Sequence, residues 1–254
     1  MTRSTFEDLV AVMARLRAPG GCPWDRAQTP QTLRPYLLEE AYEVLDALDR
    51  GDQGALREEL GDLLLQVVFH AQMAAEAGHF TVAEVVDDLV RKLIERHPHV
   101  FSQARLDTAE MVLAHWQNAK QARRAGALDG IPVALPALVR AQKVQERARG
   151  QGFRWPDARA AVAKVRAELA ELEEVSSPAA AAEELGDAFF TLINVAIIHG
   201  VDAEQAVRDA TRKFTARFTR LESLAAAAGR PLPEHSPDEL LALWEQARQD
   251  DAAG

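Results

Sequence analysis

Acidic residues three apart recur in both halves of the chain: Glu40 with Glu43 and Glu59 with Asp62, then Glu168 with Glu171 and Glu184 with Asp187. On a helix, residues at that spacing project to nearly the same side, so each pair makes a two-carboxylate edge. A turn at Arg50 to Gly54 would fold the first two edges into an antiparallel hairpin. At a rise of ~1.5 Å per residue, Glu43 comes level with Glu59 and Asp62. A turn near Ser176-Ser177-Pro178 brings Glu168, Glu171, Glu184 and Asp187 level by the same count. Carboxylates facing one point repel and raise one another's pKa unless a cation neutralises them. An all-oxygen acidic set suits Mg2+, with Mn2+ as a substitute, completed by water and phosphate oxygens. Gly61 and Gly186 interrupt the acidic pairs. Glycine inside a helix costs ~1 kcal/mol relative to alanine, and close approach of the facing helix is the expected compensation.

With 39 acidic residues in the chain, isolated pairs of this kind mostly belong to solvated helix faces. Recurrence in a hairpin, beside other repeated blocks, lifts these above that background. Lys92 with Arg96 and Lys213 with Arg217 are each one helical turn apart, and can grip phosphate oxygens beside a metal. The bland alternative is an ordinary basic face. Asn194 lies in an otherwise apolar run about two turns after Asp187, where its amide either satisfies backbone or reads a base or sugar. Trp24 and Trp155 are expected in Pro-containing loops just before the acidic helices and are candidates for a nucleobase wall. Trp116 and Trp244 read as core anchors. His97-Pro98-His99 has no third ligand at suitable spacing and reads as a helix stop; Ser236-Pro237-Asp238-Glu239 reads as a capping box.

The elements that must carry these residues are helices. Hydrophobic residues make up 48% of the chain, aromatics only 6%, and apolar residues recur at three- and four-residue spacing. The expected fold class is all-α. Gly126, Gly130, Pro132 and Pro136 mark a linker, dividing the chain into modules at 1–128 and 129–254. The halves repeat in order. Trp24-Asp25 answers to Trp155-Pro156-Asp157, and Glu59-Leu-Gly-Asp62 recurs letter for letter as Glu184-Leu-Gly-Asp187. Lys92 and Arg96 match Lys213 and Arg217, and Trp116 with Lys120 answers to Trp244 with Arg248. A tandem duplication explains all of these. One hairpin per copy offers a thin core, so the hairpins are expected to pair as four-helix bundles, between copies or across a homodimer.

A net charge of -10 argues against nucleic acid as a partner, since its phosphate backbone would be repelled. The single Cys22 excludes an intramolecular disulfide and fits a reducing cytoplasm. Residues 1–17 lack the apolar core of a signal peptide, and no apolar run approaches the ~20 residues of a membrane span.

Cys22-Pro23-Trp24-Asp25, followed by Leu38-Glu39-Glu40-Ala41-Tyr42-Glu43-Val44 and Glu58-Glu59-Leu60-Gly61-Asp62, resembles the MazG family of all-α nucleoside triphosphate pyrophosphohydrolases. His97-Pro98-His99-Val100-Phe101, and Lys213-Phe214 with Arg217-Phe218, fit the same pattern. The resemblance implies Mg2+-dependent cleavage of a nucleoside triphosphate between the α and β phosphates, giving the monophosphate and pyrophosphate. It also implies a homodimer and a catalytic centre concentrated in the second copy. There Glu168, Glu171, Glu184 and Asp187 would hold metal, and one Glu would also activate water. Lys213 and Arg217 would neutralise phosphate charge, and Trp155 and Asn194 would face the substrate. The first copy is left active, weak or regulatory. Ala167 stands where the family often doubles the first Glu, and Arg248 where Lys is usual. A carboxylate di-iron centre would need Glu-x-x-His on two helices, and here the third position after Glu59 and Glu184 is Asp. More specific relatives, acting on dUTP, dCTP or phosphoribosyl-ATP, and a non-enzymatic nucleotide-binding regulator remain the alternatives.

Overall fold

The computed structural model describes residues 3–102, 104–121 and 125–253, with side chains described outside 117–124 and 251–253; Lys120 therefore lies outside the described side chains. All regular structure among the described residues is helical. The chain divides into two compact units, residues 1–118 and 119–254. The divide expected at 128/129 thus falls inside the second unit. There the carbonyl of Asp129 accepts from Arg147, and Leu128 lines a cavity.

The first unit is organised around an antiparallel hairpin of α3 (Pro30–Arg50) and α4 (Gln53–Glu76). Thr29 and Thr32 cap the start of α3 reciprocally, and Pro30 occupies its first position, where a missing N–H costs nothing. The turn reverses because Gly51 takes a left-handed conformation, φ 66°, that a side chain would strain. Asp52 Oδ1 then accepts from the Gly54 and Ala55 N–H groups and starts α4. The hairpin is not alone. α1 (Phe6–Arg17), capped by Thr5 and Asp8, packs on α4, and α2 (Pro23–Ala27) follows it. Met13, Leu33, Val68, Phe69 and Met73 form one buried cluster between α1, α3 and α4. At ~1.5–3 kcal/mol for each large side chain removed from water, this cluster is the main hold on the unit. α5 (Val82–Arg96), α6 (Pro98–Phe101) and α7 (Ala109–Gln121) complete it. His97 ends α5 and opens α6, as the reading of a helix stop anticipates.

The second unit repeats the plan with different fillings. α8 (Ala137–Gly150) packs on α10 (Pro178–His199), and α10 pairs with α9 (Ala158–Glu173) as the hairpin. Asp157 caps α9, and Ser177 with Pro178 opens α10. α11 (Ala203–Ala227) pairs with α12 (Pro237–Ala253) through buried Leu221, Ala225 and Ala247. Ser236 and Glu239 form the expected capping box at α12, reinforced by an ion pair from Arg230 to Glu239 at 2.6 Å.

The expectation for the two helix-interior glycines is overturned. A Cβ built on Gly61 or Gly186 meets nothing within 4 Å, so neither glycine makes room for the facing helix of its own hairpin.

Candidate functional site

Each hairpin gathers its acids at one point. Ligand oxygens of Glu40, Glu43 and Glu59 all lie within 4.8 Å of one another, and so do those of Glu168, Glu171 and Glu184. Asp62 and Asp187 act on these clusters electrostatically. Burial first, then the charges of Asp62 and Glu43, push the Glu40 carboxyl above its ordinary range, while a hydrogen bond from Gln66 opposes them. Glu59 is raised by partial desolvation, then by Glu43, Glu58 and Asp62. Glu184 is raised by desolvation, then by Glu171, Glu168, Asp187 and Glu183. Desolvation leads in each case and the neighbouring carboxylates add to it, so a cation placed among them would relieve both. The donor set is all carboxylate, its oxygens are close enough to share one ion, and its charge calls for one; the residues present fit a hard divalent cation.

The two clusters are partnered differently. In the second, Glu168 is 4% exposed and takes an ion pair from Lys164 Nζ at 2.6 Å. In the first, Glu40 accepts from the Gln66 amide at 3.5 Å and shares a hydrogen bond with Glu43. Neither Lys164 nor Gln66 is evident from the acidic spacing. Lys164 lies one turn before Glu168, an i,i+4 relation that could have signalled it.

Beyond the second cluster the hairpin opens onto a cavity of about 550 Å³, lined by Trp155, Asn194, Phe190 and Gln145 among others. Trp155 and Asn194 thus share one enclosure. Asn194 is about two turns beyond Asp187 on α10, ~10 Å along the axis and on the same face. Trp24 is placed otherwise. It lies in the short helix α2 rather than a loop, is 51% exposed, and meets Tyr36 edge to face with centroids 6.0 Å apart. Trp116 and Trp244 are anchors: Trp116 Nε1 donates to the Arg96 carbonyl at 2.6 Å, and Trp244 packs on Phe214 at 5.0 Å.

The basic pairs stand on the helices that follow each hairpin, Lys92 and Arg96 on α5 and Lys213 and Arg217 on α11. Lys92 is exposed on α5, and the Arg96 carbonyl serves Trp116. The Arg217 charge acts on Glu245 of α12, and Lys213 is exposed on α11. The strongest charges on Glu184 are all acidic.

A family model described as the MazG nucleotide pyrophosphohydrolase domain matches residues 28–101, which span the first hairpin, α5 and α6. Over 249 residues the chain is 43% identical to the nucleoside triphosphate pyrophosphohydrolase/pyrophosphatase MazG of Thermotoga maritima, covering 97% of this chain and 96% of that protein. The chain belongs to the MazG family. A second MazG-family relative, the nucleoside triphosphate pyrophosphohydrolase of Escherichia coli K12, is 42% identical over 257 residues, 97% of this chain and 98% of the relative. That of Mycolicibacterium smegmatis is 37% identical over 255 residues, covering 93% of this chain but 68% of the longer relative. Both acidic hairpins therefore lie within the stretch shared with named MazG-family enzymes.

Proposed function

We propose that this chain is a Mg2+-dependent nucleoside triphosphate pyrophosphohydrolase, cleaving between the α and β phosphates, with its main catalytic centre in the second module of a tandem duplication. The observation that carries this reading is the Glu168–Glu171–Glu184 cluster standing on the same hairpin as the cavity that holds Trp155 and Asn194. The named activity of the relatives agrees with it.

Glu168, Glu171, Glu184 and Asp187 bind the metal, and Glu40, Glu43, Glu59 and Asp62 form the corresponding set in the first module. Bound there, a divalent cation supplies charge neutralisation and polarises phosphate oxygens. One of the second module's Glu carboxylates orients the attacking water and takes its proton. Lys213 and Arg217 stabilise charge on the phosphates as the bond breaks, and Lys92 and Arg96 are their counterparts. Trp155 and Asn194 hold the nucleoside; Trp24, exposed beside Tyr36, is the weaker counterpart.

The working form is a homodimer in the cytoplasm. α10 exposes Leu185, Phe189, Phe190 and Leu192, each more than 40% accessible, an apolar display that a second protomer would cover. The open side of Gly186 leaves that approach unobstructed. Light scattering should give twice the 27.9 kDa chain mass at micromolar concentration; a monomer would refute the dimer.

The deciding experiment measures pyrophosphate release from a panel of ribo- and deoxyribonucleoside triphosphates with Mg2+, with Mn2+ and in excess EDTA. Pyrophosphate and monophosphate should appear in equal amounts with metal and stop with EDTA. Full turnover in EDTA, or release of inorganic phosphate instead, would overturn the reading.

A further inference from the structure

The buried acid of the second cluster is neutralised from within the chain. Glu168 is 4% exposed, and its Oε1 takes an ion pair from Lys164 Nζ at 2.6 Å, one turn earlier on α9. A carboxylate withdrawn this far from water needs a partner of opposite charge, and a helix neighbour supplies it. The hydrogen bond to Glu168 leads in keeping the Lys164 ammonium protonated, against desolvation, and the charges of Glu168, Glu171 and Asp187 add to it. The ammonium thus stands in the field of the whole cluster. Its side chain is 40% exposed, which leaves it room to swing into water. The first cluster is built differently. Four residues before Glu40 on α3 stands Tyr36, whose ring meets Trp24, so that place carries no basic side chain.

We propose that Lys164 is a tethered counter-cation that must leave Glu168 when a divalent metal binds the second cluster, and that it thereby sets the metal affinity of that site. This rests on the reading of Glu168, Glu171 and Glu184 as metal ligands, but it needs no reaction. Ligand oxygens of the three acids lie within 4.8 Å of one another, so a divalent ion shared among them would compete with the ammonium for Glu168 and be repelled by it. Loading the site therefore costs the ion pair. Without metal, Lys164 keeps Glu168 ionised and paired instead of buried and alone. No such competitor stands four residues before Glu40, so the two sites should differ in affinity although their acids match.

Mn2+ titrated into the full chain without nucleotide, with the free ion followed by its paramagnetic resonance signal, reads the affinity without turnover. Lys164→Met and Lys164→Arg are compared with unaltered Lys164, all in a Glu59→Gln background that leaves the second cluster as the intact set. Lys164→Met should bind Mn2+ about tenfold more tightly, as for deleting one screened like charge beside a divalent ion. Lys164→Arg keeps the charge and should not tighten. Equal or weaker binding by folded Lys164→Met, or equal tightening by Lys164→Arg, would overturn the proposal. A second measurement uses the unaltered chain and requires no variant to fold. Reductive methylation mapped by mass spectrometry should label Lys164 severalfold faster with Mg2+ than without, while exposed Lys143 on α8 stays constant. An unchanged rate at Lys164 would equally overturn it. The two readings fail separately: metal-dependent pyrophosphate release with equal Mn2+ affinities defeats this proposal alone, and tightening by Lys164→Met in a chain that releases no pyrophosphate defeats the hydrolase reading alone.

Discussion

The two hairpins carry the same acids and differ in what lies two turns further along. In the first, α4 continues from Asp62 into Val68 and Phe69, which are buried with Met13, Leu33 and Met73. In the second, α10 continues from Asp187 to Asn194, which lines a cavity of about 550 Å³. Arg17 closes the first arrangement further. Its guanidinium lies 5.4 Å over the Phe69 ring, bonds Glu76, and donates to the carbonyls of Asp25 and Gln28. Where the first unit spends this region on a core, the second keeps it open and accepts a thinner one built on alanines such as Ala161, Ala188, Ala203 and Ala225. Acids alone do not distinguish the modules; what is packed beside them does.

The largest effect that could break the comparison is on stability. Phe69→Ala should destabilise the first unit by ~3–5 kcal/mol, the usual cost of emptying a core aromatic site. Pyrophosphate release should survive at temperatures where the variant stays folded. Chemical denaturation paired with activity at low temperature checks this. Loss of activity in folded Phe69→Ala would mean that the filled region also serves the reaction.

Next comes catalysis. Glu184→Gln and Glu59→Gln delete one charge from equivalent sites while preserving size and helix propensity. The first should lower pyrophosphate release by about a hundredfold or more, comparable to removing a principal electrostatic element of an active site, and the second should leave most of it. The reverse ranking would move the main centre to the filled module. Equal partial losses would mean two working sites.

The hairpins were legible in the sequence because their causes are local. Gly51 with Asp52, and Ser177 with Pro178, are turn and cap residues at adjacent positions, and acids three apart share a helix face whatever surrounds them. The interplay of distant residues was not legible. Arg17 meets Glu76 across 59 positions, and Gln145 meets Phe190 across 45, so neither the clamp nor the buried amide has a spacing to read. Gly61 and Gly186 misled for a related reason. A Cβ at either would meet nothing within 4 Å, and a helix-interior glycine does not reveal by its presence whether a neighbour stands against it.

A smaller change sharpens the contrast from the cavity side. Asn194→Leu replaces a half-buried amide on the cavity wall with an apolar side chain of similar size, making that wall more like the filled region at Phe69. Stability should hold or rise. KM for the triphosphate should rise by about five- to tenfold with kcat nearly unchanged, as for loss of one neutral hydrogen bond made equally in ground and transition states. A fall in kcat without change in KM would instead place Asn194 at the reacting phosphates.

The smallest expected effect concerns the clamp of the filled module. Hydrogen bonds from Arg17, ahead of opposing desolvation, hold the Glu76 carboxyl below its ordinary range, with Gln72 and the Arg17 charge assisting. A carboxyl whose pKa falls on folding adds stability above its unfolded value and loses it as pH drops through the folded value. The Arg17–Glu76 contribution is therefore present at neutral pH and disappears on acidification below about pH 4.5. Glu76 is 38% exposed while Arg17 is 9% exposed, so solvent screening limits the pair to about 1 kcal/mol or less. Glu76→Gln should lower the first unit's unfolding midpoint slightly at pH 7, and the difference should vanish once the pH has fallen through the folded carboxyl's lowered value, where the wild-type group is protonated too. In the second unit, Arg230, together with Ser236, draws Glu239 down to about 2, so its contribution should persist to more acidic conditions. Unfolding midpoints for wild type, Glu76→Gln and Glu239→Gln, measured across that range, test the ordering. If Glu76→Gln is as costly at low pH as at neutral pH, Glu76 acts by packing on Arg17 rather than by charge, and the clamp belongs with the apolar filling around Phe69.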